Sequence, residues 1–186
     1  MDERMLNSSF EVINNDSNQV VVLLDNIVKE YSEDLDRIMD DIQNNIIIDN
    51  NPAIITIEKY FVELSSCLYR MCEKSERLGI FDSISKSKAQ ETYNTKYLEH
   101  QSSNMGKPGV KKPTVAESTA EAEMGSLYDK TVNDIYAKAY KILKNKISAA
   151  ETMVSTLSKI LSHRIQESNM MSVQTERRIL NENNPF

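Results

Sequence analysis

From Thr114 to Glu167 the chain contains no proline and one glycine, Gly125. A stretch so poor in breakers has few places to turn. It opens on Thr114 and Glu117, whose three-residue spacing lets a hydroxyl and a carboxylate cap each other's free amides. The reading is a long helix beginning after Thr114, which at about 1.5 Å per residue reaches about 80 Å. One compact core does not cover that length, so the helix bends, associates or projects. Gly125 marks either a bend or an interior glycine that costs about 1 kcal/mol.

The rest of the composition agrees with helices. Among 186 residues there are 4 Gly, 4 Pro, 4 Phe and no Trp, which leaves little for the turns and aromatic layers of a barrel or sandwich. The expected fold is all-α, an antiparallel helical hairpin or bundle with a long C-terminal coiled-coil-like helix. The expected divisions are a loose leader over 1–17, an N-terminal helical region over 18–100, an exposed linker over 101–113, the long helix over 114–168 and a tail over 169–186. Apolar residues from Val20 to Ile42 recur at three and four. Asn51 and Pro52 fit the cap and first turn of a second helix, with Gly79 as its terminator and a third, shorter helix from Phe81 to His100. The isoleucines at 46 to 48 also permit a brief strand.

Within the long helix, Ile135, Ala139, Leu143, Ile147, Ala150, Val154, Leu157 and Leu161 form an apolar stripe with one phase change, the pattern of a supercoiled seam carrying a stutter. These residues are the candidate oligomerisation surface, the partner being a second copy of the chain. The same stripe fits equally against helices from residues 20 to 78.

Charge is strongly partitioned. The net charge is -6, yet residues 1 to 50 hold twelve acids and three bases, whereas residues 130 to 164 hold seven bases and two acids. At 100° per residue Lys130, Lys141, Lys144 and Lys159 project to one side of the long helix, away from the seam. Two uses compete. The acidic first helix neutralises the basic last one, within or between chains, or the lysines contact phosphates without reading bases. The candidate nucleic-acid-binding residues are Lys96, Lys107, Lys111, Lys112, Tyr136, Lys138, Tyr140, Lys141, Lys144, Lys159 and Arg164. Tyr136 and Tyr140 enter as base-stacking platforms; as packing residues they keep the ring inside and the hydroxyl wet.

No recognised enzyme motif is present. Gly106 and Gly109 lack the setting of a phosphate loop, and His100 and His163 lack metal-ligand spacing. The expectation is a non-enzyme without cofactor or metal. Cys67 and Cys72, five apart on one helix, read as reduced small hydrophobes. The first residues match neither a secretory nor a transit signal, and no apolar run approaches the ~20 residues of a membrane span. A cytoplasmic protein is expected.

The segments KKPTVAESTAEAE, Lys111 to Glu123, and YAKAYKILKNKISAAETMVSTLSKILSHRIQE, Tyr136 to Glu167, resemble small all-helical accessory proteins of large tailed bacteriophages. The layout is similar to the recombination mediators of the T4-type phages, with Lys86 to Leu98, Thr114 to Glu123 and Ile135 to Ile165 as the matching parts. The resemblance implies a homo-oligomer in the host cytoplasm that binds single-stranded DNA and loads a recombinase in place of a single-strand-binding protein. An acidic N-terminal helix is extra here. A phage structural, assembly or adaptor protein working through helical contacts alone is the alternative.

Overall fold

The computed structural model describes residues 3–49, 51–103 and 111–182, and the side chains within 18–49, 51–103 and 111–178. Four α-helices follow one another: α1 (Glu3–Ile42), α2 (Ile54–Ser102), α3 (Val115–Gly125) and α4 (Leu127–Glu182). A π-helical turn, Gln43–Ile47, ends the first of them. The fold is all-α, and α4 is its longest helix at 56 residues.

Several boundaries differ from the sequence reading, each for a local reason. The helix α1 starts at Glu3 and not near Val20, because neither proline nor glycine interrupts the first 42 residues. The isoleucines near residue 46 form the π-helical turn, with Ile46 buried, and the described residues contain no strand. Asn51 and Pro52 precede α2 instead of starting it. The Asn51 N–H donates to Asp49 Oδ1 at 3.0 Å, and the Ala53 carbonyl accepts the first ladder bonds, from Thr56 and Ile57.

Gly79 does not end a helix, and no separate third helix begins at Phe81, since α2 runs on to Ser102. Its role is steric. A Cβ at Gly79 would meet the Tyr140 ring at 3.3 Å, so glycine lets that ring lie on the helix backbone. Gly125 is a true break. The Ser126 N–H donates to the Ala122 carbonyl and Lys130 N–H donates to the Ser126 carbonyl, both at 3.0 Å, which closes one helix and opens the next. The reciprocal cap at Thr114 and Glu117 is formed as its spacing suggests.

The chain divides into two compact units. One comprises Met1–Tyr31 with Glu73–Lys144. Its α2 and α4 segments run antiparallel, tied by Thr92 to Asp129 at 2.7 Å, Asn133 to Asp82 at 3.2 Å and Lys144 to Glu76 at 3.6 Å. Small residues at the contact, among them Ser85, Ala89, Ser118 and Ala122, are buried and let the helices approach closely. Leu78, Ile135 and Leu143 supply the larger apolar volume. The Ser75 hydroxyl is buried here with no hydrogen-bond partner among the described residues.

The other unit comprises Ser32–Cys72 with Asn145–Phe186. Leu35, Ile38, Ile42, Ile57, Leu64, Met71 and Leu157 are fully buried in it, each contributing about 1.5–3 kcal/mol. The α1 and α2 segments are antiparallel, with Arg37 3.7 Å from Glu63 and Asn45 Nδ2 donating to Tyr60 Oη at 2.9 Å. Lys146 reaches from α4 to Asp36 and to Ser32 Oγ, 3.0 Å away. Both charges keep partial access to water, so the pair orients the helices and adds about 0–1 kcal/mol.

Candidate nucleic-acid interface

The stripe assigned to oligomerisation is the interior of the chain's own fold. Ile135, Ala139, Leu143, Ile147, Ala150 and Leu157 are buried, while Val154 and Leu161 are half-buried. A heptad stripe states that a face is covered, not by whom. Here α4 meets the chain's other helices, so the residues that are buried cannot also serve as a free seam toward a second copy.

Turning that stripe inward fixes what points out. In the first unit Lys138 and Lys141 are exposed on the outer side of α4 and make no ion pair among the described residues. Lys111 and Lys112, just before α3, are exposed as well. Lys107 lies outside the described residues. Lys144 shares the outward side of α4 but is partly used, 3.6 Å from Glu76 and 5.4 Å above the Tyr140 ring. Its hydrogen bond to Tyr140 and the neighbouring Glu76 hold its pKa above the ordinary value. Lys96 is tied to Glu99 at 2.9 Å, which raises its pKa likewise. Its stem covers Gly125, where an added Cβ would fall 2.9 Å from its Cγ.

The expected stacking platforms are occupied. Tyr136 lies stacked on Phe81 with centroids 5.8 Å apart, and Tyr140 is pinned between Gly79 and Lys144. Both rings serve packing. Tyr93 and Tyr97 stack on each other at 6.5 Å.

In the second unit Lys159 is exposed and shares a shallow groove with Ile160, His163, Arg164 and Glu167. Arg164 is 3.2 Å from Glu167, so this end of α4 is only partly cationic. Within the first unit a second groove, walled by α2, the end of α3 and the start of α4, brings together Lys86, Gln90, Tyr93, Glu123 and Lys130, with the Lys130 ammonium 5.1 Å from the Tyr93 ring. Lys86 and Lys130 are 44 positions apart in sequence, so no local pattern announces their approach. Glu123 lines the same groove, so the two ammonium groups share it with a carboxylate.

The acidic first helix does reach the last one within the second unit. Lys146 pairs with Asp36 there, and Lys146 is not one of the outward lysines. Those residues contain no group of three or more His, Cys, Asp or Glu side chains placed to hold a metal ion, and no helix long and apolar enough to cross a membrane. Compared with protein-family models, with curated proteins and with solved structures, the chain has no significant match.

Proposed function

We propose that this chain is a non-enzymatic accessory protein of DNA recombination or replication that holds single-stranded DNA by its phosphates and acts as a homo-oligomer in the host cytoplasm. The observation that carries the reading is Lys138 and Lys141, outward on α4 and unpaired among the described residues, in a chain whose net charge is -6. Cations left unpaired in an acidic chain fit an anionic partner from outside. With Tyr136 and Tyr140 committed to packing, the strand is gripped electrostatically, with little preference for sequence. A mediator-like role, delivering the strand to a recombinase or displacing a single-strand-binding protein, follows from the resemblance stated above.

A labelled mixed-sequence single strand, followed by anisotropy at low salt, tests this. Lys138→Glu with Lys141→Glu weakens binding while the far-ultraviolet dichroism stays unchanged. Unaltered affinity in that double variant would sink the site.

One observation favours the adaptor reading as a second possibility. Large apolar side chains stand exposed on the outer face of α2, as expected of a surface that meets another protein. If the double variant loses assembly and wild type never binds DNA, the adaptor reading holds.

A further inference from the structure

In the second unit α2 has two apolar faces. Ile57, Tyr60, Leu64, Cys67 and Met71 are buried against α1 and α4. On the opposite face Ile55, Val62 and Tyr69 are 72%, 61% and 83% exposed. Single exposed hydrophobes are ordinary. Three at intervals of seven, turned away from the core, form the straight row by which one helix meets another. Between the last two stands Ser66, small enough to let a second backbone come near.

The flanks say which helix fits. Adjacent in sequence, Glu58 and Lys59 project to opposite sides of the row, and neither makes an ion pair among the described residues. Lys59 is recorded only above the ring of Tyr60, at 5.2 Å. If an identical row lies alongside, parallel and in register, a two-fold axis brings one flank of each helix to the opposite flank of its copy. Each Glu58 then meets a Lys59 of the second chain. An antiparallel pairing brings like flanks together and makes no such match. We infer that the outer face of α2, along Ile55, Val62 and Tyr69, is a self-association surface that pairs with the same face of a second copy in parallel register. The inference rests on the self-assembly part of the function proposed above and names its surface.

The row spans only about 21 Å of helix. A strip that long and one helix diameter wide, ~10 Å, covers ~200 Å², less than the ~800 Å² per partner of a standard interface, so the contact is weak and concentration-dependent.

Disulfide trapping in the full chain tests it. In a Cys72→Ser background, Val62→Cys puts one new thiol near the two-fold axis, where facing Cα atoms come within the ~4.4–6.8 Å that a disulfide spans. Ser155→Cys, exposed on α4, is the control. Mild oxidation is expected to cross-link the Val62→Cys chain about tenfold faster than the control, as for thiols held at a high effective concentration. Adding Glu58→Lys should abolish that advantage, and adding Lys59→Glu as well should restore it. Equal rates in both cysteine variants, with an oligomeric mass by light scattering, overturn this surface alone. A monomeric mass at every concentration, with equal rates, overturns self-assembly too, and neither result bears on strand binding.

Discussion

Replacing Leu157 by alanine separates a core helix from a seam between chains. The side chain is fully buried within the second unit. Truncation removes three carbon atoms from an apolar site and leaves a void that neighbours fill only in part, at a cost of about 2–5 kcal/mol. In a chain of this length each kcal/mol moves the midpoint by about 2–4 °C, so the thermal transition should fall by about 4–20 °C. Circular dichroism at 222 nm, recorded over a hundredfold range of protein concentration, measures it. If the core is the chain's own, the loss is the same at every concentration. Were Leu157 a contact between chains, the wild-type midpoint would climb with concentration by mass action. At the dilute end the variant would then melt within about 2 °C of wild type. That pair of results would refute the intramolecular assignment.

Ser75→Ala removes a buried hydroxyl without a partner, so the variant should be neutral or more stable by up to about 1 kcal/mol in urea unfolding; a clear loss would reveal a partner for that oxygen. The Glu117 carboxylate accepts from the Thr114 N–H at 2.7 Å, and that bond lowers its pKa below the ordinary 4.5. Because the folded state holds the charged form, its stabilisation is present above the unfolded pKa and is lost as pH falls through the depressed folded value. Wild type and Glu117→Gln should therefore differ in stability at neutral pH and converge in acid, whereas a difference that persists at low pH would contradict the cap. Reversing Lys146 to Glu against Asp36 should lower stability without reducing strand binding, since Lys146 serves the fold; equal damage to both would move it into the interface.

The helical class, the cap at Thr114 and the apolar stripe of α4 were legible because each depends on spacing within a few residues. What covers the stripe was not, because a seven-residue period is the same whether Leu143 meets its own chain or a copy. Gly79 shows the limit in another form. As a residue it signals a helix end, and only the arrival of the Tyr140 ring, 61 positions later, explains why it sits inside α2. The tyrosines follow suit: spacing placed Tyr136 and Tyr140 beside lysines, while Phe81 and Gly79 decided that the rings lie against α2. Outward lysines were the readable part of the candidate interface, since a face opposite an apolar stripe is exposed whichever partner covers the stripe. The groove of Lys86, Tyr93 and Lys130 was not, being made by helices that meet from distant parts of the chain.

The salt dependence of single-strand binding bears most directly on the proposed function. Lys111, Lys112, Lys138 and Lys141 are exposed in one unit, and four neutralised phosphates on a single strand give a slope of about -3 in log K against log salt. Lys138→Glu with Lys141→Glu should make that slope shallower by more than about 1. An affinity indifferent to salt, or no binding at low salt, would contradict the claim that these lysines hold DNA.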